Sequence, residues 1–381
     1  MKIQKLLLSL LLSAIGLCST AAGGNDSPRI RYNFNSGWLL TVGDPADAAE
    51  PRFDDSGWKR VTLPHAWNED DAFEKSIDKH STGIAWYRKH FRLPASARGQ
   101  KVFLEFEGIR FGGEVWLNGR HVALHENGVM AFGVDVTDLV SYSGDNVVAV
   151  RTDNDWKYAE KATGQVYQWN NINFNANYGG IPKNVYLHLT GKLYQTLPLY
   201  SNLGTVGTYV YARNINVTRR SADIWAETEV RNETGADAEV TLAVEIEDME
   251  GKIIKRMTGK PRTVEAGSTV TLKTGDRTEG LRFWSWGYGY LYNVYTTLYV
   301  DGKPVDQVTT RTGFRKTRFA DGMIWLNDRV LMMKGYAQRT SNEWPAVGMS
   351  VPAWLSDYSN SLIVEGNGNL VRWMHVTPWK Q

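Results

Sequence analysis

Short apolar stretches separated by turn residues dominate the first half of the chain. Between residues 30 and 189, apolar segments such as 101–106 and 146–151 alternate with turns, and Asn118-Gly119 is the dipeptide of a tight β-hairpin. No long stretch in this region has the 3.6-residue period of an amphipathic helix. The pattern predicts an antiparallel sandwich or jelly roll of about 160 residues.

A second β-rich region follows, from about residue 204 to residue 312. Apolar residues occupy the even positions from 240 to 246 and alternate with the polar residues Glu239, Thr241, Glu245 and Glu247, which is the period of a half-buried strand. The same alternation occurs over 224–230, and Asp301-Gly302 predicts another hairpin turn. About 110 residues of such strands suit an immunoglobulin-like β-sandwich.

The pattern changes after Gly313. An apolar strand is predicted over 330–334, a helix from Pro352 to just before Gly366, and another strand over 370–374. This strand, helix, strand order is the start of an α/β domain. A (β/α)8 barrel needs about 250 residues, so the part of the chain after residue 312 is expected to hold only the beginning of one.

Composition narrows the class of protein. The chain has 381 residues, of which 42% are hydrophobic, and a single cysteine. These values are typical of globular domains and exclude the disordered, collagen-like and disulfide-rich classes. At roughly 150 residues per domain, the length predicts two or three domains.

The N-terminus has the pattern of a secretory signal peptide. Lys2 and Lys5 precede an apolar run over residues 6–17, and small residues follow up to the expected cleavage point after Ala21 or Ala22. The apolar run is about 12 residues long, whereas a membrane-spanning helix needs about 20, so no membrane span is expected. We therefore expect an exported protein, either periplasmic or secreted.

Cleavage would change both thiol chemistry and charge. Cys18 is the only cysteine, so the processed chain would have no thiolate nucleophile and no Cys-based metal site. Acylation of Cys18, as in a lipoprotein, is the less favoured alternative because Leu17 is larger than such sites prefer.

Cleavage would also change the net charge, because the loss of two lysines leaves 41 basic groups against 41 acidic groups. Nucleic-acid binding usually needs a basic excess, so this class of partner is excluded.

Several phrases of the sequence resemble glycoside hydrolase family 2. Those similar to the family's N-terminal sugar-binding domain are Phe53-Asp54-Asp55-Ser56-Gly57-Trp58, Leu63-Pro64-His65-Ala66-Trp67, Trp86-Tyr87-Arg88-Lys89, Phe106-Glu107-Gly108, Val115-Trp116-Leu117-Asn118-Gly119 and Tyr178-Gly179-Gly180-Ile181. Trp284-Ser285-Trp286 resembles the end of its immunoglobulin-like domain, and Gly313-Phe314-Arg315 the junction with its catalytic barrel. Residues 369–378 are similar to the second barrel strand.

The resemblance implies a mostly β chain with four parts. These are a signal peptide (1–22), a jelly-roll sugar-binding domain (28–195), an immunoglobulin-like β-sandwich (203–312) and the incomplete start of a (β/α)8 TIM-barrel catalytic domain (313–381). The implied activity is retaining hydrolysis of a terminal β-linked sugar, most like that of a β-galactosidase. A β-glucuronidase-like enzyme and a noncatalytic carbohydrate-binding remnant are the alternatives.

Retaining glycosidases use two carboxyl groups about 5–5.5 Å apart, one as acid and one as nucleophile. In the family both glutamates lie on later barrel strands, so we assign no catalytic residue within this chain and expect it to be inactive by itself. Glu343 follows an asparagine, as the family's acid does, but it comes just after the first barrel strand. A substrate-contacting or loop-fixing role is expected for it, and a surface carboxylate is the alternative.

Candidate substrate-binding residues lie where the barrel strands end, because active sites of such barrels form there. By resemblance Arg372 holds the carboxylate network and His375 bonds sugar hydroxyls; a structural salt bridge and a core histidine are the alternatives. Arg339 stands where the family's β-galactosidases usually carry a histidine. An arginine fork binds carboxylate or sulfate, so an anionic sugar is an alternative substrate, and a structural ion pair is the other interpretation.

The first domain is expected to contribute a loop to the same pocket. By resemblance this loop covers residues 167–178, where Asn175 and Asn177 could present amides to hydroxyls, although a polar turn has the same spacing. Trp344 could stack on a pyranose face. No cofactor is expected. His121 and His125 are four residues apart around a hairpin without a third ligand, so no metal site is expected either.

Overall fold

The structure is a computed structural model that describes residues 29–126, 128, 130–166, 177–198, 202–339 and 353–374. The signal-peptide prediction over 1–22 lies outside these residues. Within them, no helix is both long enough and apolar enough to cross a lipid bilayer.

The first region is an antiparallel β-sandwich. Its strands are β1 (Ile30–Asn33), β2 (Trp38–Val42), β3 (Lys59–Val61), β4 (His65–Ala66), β5 (Ile84–Phe91), β6 (Lys101–Phe106), β7 (Gly112–Leu117), β8 (Arg120–His125), β9 (Phe132–Asp135), β10 (Asn146–Asp153), β11 (Gly180–Ile181) and β12 (Val185–Thr190). A four-stranded sheet has the order β1-β12-β6-β9, and a six-stranded sheet the order β3-β2-β5-β10-β7-β8. The antiparallel sandwich predicted from the sequence is confirmed.

Two short strands and three short helical turns complete this region. Strands β4 and β11 pair with each other outside the two main sheets. The helical turns are the α-helix α1 (Asp71–Glu74) and the 3₁₀ helices Ile77–Lys79 and Ala95–Ala97.

The core of the sandwich lies between its two sheets. Trp38, Tyr87 and Leu117 of the larger sheet are buried against Leu104 and Leu187 of the smaller one. The indole N–H of Trp38 donates to the backbone carbonyl of residue 34 at 2.8 Å, which satisfies its one polar atom. Burial of this apolar surface is the main source of stability for the sandwich.

Strand β5 is buried on both of its faces. Tyr87 points into the core, and the next residue, Arg88, is fully buried on the opposite face. The Arg88 guanidinium donates to the Asp55 carboxylate at 2.6 Å and to the backbone carbonyl of Glu50 at 3.0 Å. The segment between β2 and β3 is therefore fixed over the outer face of the larger sheet by a buried ion pair.

The second region is also a two-sheet sandwich. Its strands are β13 (Leu193–Gln195), β14 (Thr208–Asn216), β15 (Ser221–Asn232), β16 (Ala238–Glu247), β17 (Ile253–Thr258), β18 (Arg262–Val264), β19 (Thr269–Thr278), β20 (Tyr292–Val300) and β21 (Lys303–Thr312). In one sheet β15 pairs with β13, β14 and β19; in the other β16 pairs with β17, β18 and β20, and β20 with β21. The alternation predicted for β15 and β16 is confirmed, because their inward positions are buried and meet in one core.

A buried carboxylate joins the two sandwiches. The Asp306 side chain on β21 is fully buried and accepts hydrogen bonds from the Arg29 guanidinium at 2.7 and 2.9 Å. The backbone N–H of Gln195 donates to the same carboxylate at 2.7 Å. Gln195 in turn donates its side-chain amide to the backbone carbonyl of Thr296 at 2.9 Å. The Asp306 carboxylate thus holds three parts of the chain at one point. These are the start of the first sandwich at Arg29, strand β13 at Gln195, and β21, the last strand of the second sandwich.

The third region contains an antiparallel hairpin unit and a parallel strand pair. The hairpin strands are β22 (Thr317–Ala320), β23 (Met323–Leu326) and β24 (Arg329–Val330). Strand β25 (Gly335–Arg339), helix α2 (Ala353–Glu365) and strand β26 (Leu370–Met374) follow. Strands β25 and β26 are parallel and adjacent, with Gly335 opposite Leu370.

The predicted helix end before Gly366 is confirmed, but the strand predicted over 330–334 is wrong. Residues 331–334 belong to no strand, and β25 begins at Gly335. Apolar character alone therefore misplaced the strand, since Met332 is 74% exposed. The position of β25 is decided by its pairing with β26, and this pairing begins at Gly335.

We expect Asp306→Asn to destabilise the chain by about 3–5 kcal/mol, because it leaves the largely buried Arg29 without its counter-charge. The measurement is the free energy of unfolding in urea. Asp145→Asn is the matched control, since Asp145 pairs with Arg92 at the surface and both side chains are mostly exposed; it should leave the free energy of unfolding close to that of the unchanged chain. Equal effects of the two variants would contradict a role for Asp306 as the junction.

Candidate functional site

The parallel strand pair places two predicted site residues near one edge. The carboxyl ends of β25 and β26 lie side by side, with Arg339 opposite Met374 as the last pair. Arg372 lies opposite Ala337, is exposed, and has no ion-pair partner within the described ranges. Carboxyl ends of parallel strands are where barrel enzymes form their sites. The backbone therefore places Arg339 beside Met374 at this edge.

Four of the predicted site residues cannot be located on this edge. Asn175, Glu343, Trp344 and His375 lie outside the described residues, and their roles stay predictions. The same holds for the side chain of Arg339, of which only the strand position is described.

Asn177 lies at the base of the loop that was expected to reach the pocket. It is fully buried, and its backbone carbonyl accepts hydrogen bonds from the amides of Asn68 at 2.8 Å and Asn154 at 2.9 Å. Its own side-chain amide N–H donates to the backbone carbonyl of Asn154 at 2.6 Å. The nitrogen that we expected to face a sugar hydroxyl is therefore used inside the protein, where it fixes the end of the loop.

The same network continues on both sides of Asn177. Asn68 donates to the backbone carbonyl of Ser81 at 2.8 Å and accepts from the backbone N–H of Gly179 at 3.0 Å. Asn154 accepts from the backbone N–H of Gly83 at 3.1 Å. Three asparagines thus hold three separate segments together. Asn68 and Asn154 each use both the oxygen and the nitrogen of the side-chain amide, whereas Asn177 uses its amide nitrogen and its backbone oxygen.

The two glycines that follow Asn177 are required by close approach and by backbone conformation. A Cβ on Gly179 would lie 2.5 Å from both the Trp67 indole nitrogen and the Asn154 amide carbon. Gly180 has a φ of +122°, which L residues rarely adopt, and a Cβ there would lie 2.3 Å from the Tyr87 hydroxyl. The Gly-Gly dipeptide therefore lets the chain pass directly over the sandwich core.

The sequence did not single out Asn68 or Asn154. They lie 109 and 23 residues from Asn177, and no local pattern links them. Asn68 follows directly on Trp67, the last residue of one phrase of the family resemblance, whereas Asn154 is adjacent to none of these phrases. Hydrogen bonds between distant segments depend on the folded path of the chain and leave no periodicity.

A buried lysine follows the same segment. Lys183 is 4% exposed, and its burial lowers the pKa to about 7, while the nearby Glu107 carboxylate acts in the opposite direction. The Glu107 carboxylate accepts from the Asn184 amide at 2.7 Å. Acidic and basic groups are therefore enclosed together just after β11.

The two histidines of β8 have separate surroundings. The His121 ring lies 3.3 Å from the Glu114 carboxylate, whereas the His125 ring stacks on Phe132 with 4.2 Å between centroids. Burial lowers the His125 pKa to about 4, and a hydrogen bond with the backbone of Met130 opposes this shift. Among the described residues, no three His, Cys, Asp or Glu side chains are grouped so as to hold a metal ion.

Two family models match the chain in the order of its sandwiches. Residues 69–187 match the model described as glycosyl hydrolase 2 galactose-binding domain-like. Residues 208–315 match the model of glycosyl hydrolases family 2. Together the two matches cover more than half of the chain.

Curated relatives and solved structures agree with these matches. A β-glucuronidase of Formosa agariphila is 34% identical over 357 residues, which are 92% of this chain and 36% of that protein. A β-galactosidase of Bacteroides ovatus is 28% identical over 79% of this chain and 33% of its own length. The structure of a β-glucuronidase from glycoside hydrolase family 2 superposes with a TM-score of 0.86 at 33% identity, over 94% of this chain and 38% of that one. The chain thus spans little more than a third of the length of these proteins.

We expect Asn68→Ala to lower the free energy of unfolding by at least about 2 kcal/mol. The substitution leaves the buried N–H of Gly179 without its acceptor and removes two further hydrogen bonds, and each unsatisfied buried group costs about 1–3 kcal/mol. Asn293→Ala is the control, because the Asn293 amide donates to the Glu247 carboxylate at 3.0 Å and accepts from no backbone N–H among the described hydrogen bonds; it should cost less than about 1 kcal/mol. A similar loss in both variants, measured by urea unfolding, would argue against a supporting network under the loop.

The pKa of His125 predicts a pH dependence of stability. In the folded chain this pKa is about 4, below the value of 6.5 of an unperturbed histidine, so the unfolded chain binds the proton first as the pH falls. The stability that neutral His125 contributes is therefore complete above pH 6.5. It is lost as the pH falls from 6.5 to 4, and the loss amounts to up to about 3 kcal/mol of unfolding free energy. His125→Phe, which keeps a ring against Phe132, should flatten this part of the curve. Parallel pH curves for the two proteins would contradict the prediction.

Proposed function

Because the chain belongs to glycosyl hydrolases family 2, we propose that it is part of an exported, retaining β-glycosidase that removes terminal β-linked sugars from oligo- or polysaccharides. The observation that carries the proposal is the match of both sandwiches, in order, to domains of this family, followed by a parallel strand pair. Export is proposed from the signal-peptide pattern of residues 1–22.

The β25–α2–β26 unit supports the proposal that a (β/α)8 barrel begins here. Its two strands are parallel and connected through a helix, as in every unit of such a barrel. Within the described ranges neither strand has a second neighbour, and Tyr336, Tyr358 and Leu362 are about half exposed. Apolar side chains of this kind are normally covered by other parts of a protein. Further barrel strands and helices would cover them.

For the sugar, we propose a β-glucuronide over a β-galactoside. The support is the 34% identity to a β-glucuronidase, against 28% to a β-galactosidase, together with Arg339 at the carboxyl end of β25. A guanidinium binds the planar carboxylate of a uronic acid through two parallel hydrogen bonds, which a neutral hydroxymethyl group cannot reproduce. The β-galactosidase is the second candidate, because that relative matches 79% of the chain.

We expect a protein that contains this chain and has the full length of its relatives to hydrolyse nitrophenyl β-glucuronide faster than nitrophenyl β-galactoside. Arg339→Ala should lower kcat/KM on the glucuronide by roughly 10- to 150-fold, which corresponds to a charged hydrogen bond of about 1.5–3 kcal/mol, and much less on the galactoside. Arg339→Lys keeps the charge without the fork and should recover only part of the loss.

Three further outcomes are informative. Arg318→Ala is the matched control, because this arginine stacks on Trp325 in the hairpin unit, and it should leave both activities unchanged. The 381-residue chain alone is expected to hydrolyse neither substrate. Turnover of galactoside without glucuronide would favour the second candidate, and no turnover of either by the full-length protein would favour a noncatalytic carbohydrate-binding remnant.

A further inference from the structure

A groove of about 600 Å³ lies between the second sandwich and the β23–β24 hairpin. Its floor consists of the buried apolar side chains of Leu281, Phe283 and Leu326. Small-molecule sites usually have volumes of about 300–1,000 Å³ and a mostly apolar lining with a few polar groups. The size and floor of the groove therefore suit a small ligand.

Backbone hydrogen bonds hold the walls of the groove in place. Ser285 and Tyr288 exchange two backbone hydrogen bonds of 2.9 Å across a tight turn, with Trp286 at its tip. The Asn327 amide donates to the backbone carbonyl of Trp284 at 2.9 Å and so ties the hairpin to this turn. A preformed groove loses little conformational entropy on binding.

The charged groups that line the groove are all cations. Arg220, Arg282 and Arg329 line it, and no carboxylate is present among the described lining residues. Arg220 donates to the carbonyls of residues 280 and 281, and Arg282 pairs with Glu250 at 2.8 Å. Arg329 is exposed and has no ion pair within the described part of the chain. Its planar fork is therefore open to a carboxylate or a sulfate.

Aromatic side chains also line the groove. Trp286 is 50% exposed and Tyr288 is 49% exposed, although both are large apolar side chains. An aromatic plane can pack against the C–H face of a pyranose, while hydroxyl and anionic groups at the ring edge remain free to bond. The groove thus offers an aromatic face for the apolar side of an acidic sugar and the Arg329 guanidinium for its anionic group.

We propose that this groove binds an anionic saccharide, with the Trp286 ring against the sugar face and the Arg329 guanidinium on a carboxylate or sulfate. This binding goes beyond the proposed hydrolysis, and it can be measured without any turnover. It gives the second sandwich and the hairpin a role in holding an acidic polysaccharide.

The test is isothermal titration of the 381-residue chain with three probes of equal length: an oligogalacturonate, a sulfated galactan oligosaccharide and a neutral galactan oligosaccharide. At least one anionic probe should bind at least tenfold more tightly than the neutral one, and its affinity should fall as the salt concentration rises. Binding of only the carboxylated or only the sulfated probe supports the proposal and identifies the anion. Equal binding of the neutral probe, or no binding of any, overturns it.

Variants locate the binding. Arg329→Gln and Trp286→Ala should each lower the affinity for the anionic probe at least tenfold. The matched controls are Arg120→Gln, at an exposed arginine of β8 without a described ion pair, and Tyr209→Ala, at a side chain that is 64% exposed on β14; both should bind as the unchanged chain does. Near-UV circular dichroism checks that each variant is folded. Folded groove variants that bind normally would overturn the proposal, as would controls that lose affinity equally.

Discussion

The buried carboxylate of Asp306 is the contact on which the arrangement of the two sandwiches depends. A charged group without water is costly unless it is paired and hydrogen-bonded, and Asp306 meets this requirement with partners from two other parts of the chain. Arg29 is 277 residues away in sequence and Gln195 is 111 residues away. A salt bridge between Lys101 of the first sandwich and Glu233 of the second, at 2.8 Å, restrains the same pair of domains. Charge pairing across their contact therefore restrains the relative position of the domains, together with the apolar packing of Phe103 against Tyr194.

Both ends of the candidate site depend on supports of this kind. On one side, the asparagine network fixes the chain at Asn177, near the end of the loop that the family resemblance directs to the substrate. On the other side, parallel pairing places Arg339 at the carboxyl edge of β25. A sugar site formed by residues from two domains needs each contributing segment to leave the scaffold at a fixed point, since small displacements weaken positioning. The asparagine network supplies such a point for the segment at Asn177.

Local features of the fold could be predicted from the sequence, and distant pairings could not. Alternation of apolar and polar residues located β15 and β16 because each strand buries one face. The two hairpin turns could also be predicted, since Asn118 and Asp301 both have the positive φ that hairpin turns of this type need. The family resemblance is confirmed by the two matching domain models. The roles of Asn68, Asn154 and Asp306 were missed, because their partners are brought close only by the folded chain. The strand at 330–334 was misplaced for a related reason, since pairing with β26 decides where β25 begins.

Strand β13 has a consequence for how the chain could be divided. It directly follows the first sandwich in sequence, yet it pairs with Val230, Arg231 and Asn232 of β15 in the second. Its Gln195 also supplies the N–H that Asp306 accepts. A cut between the sandwiches would remove an edge strand from one of them and expose the backbone groups that it covers. The two sandwiches are therefore expected to unfold as one cooperative unit, and recombination between related genes should preserve them as a pair.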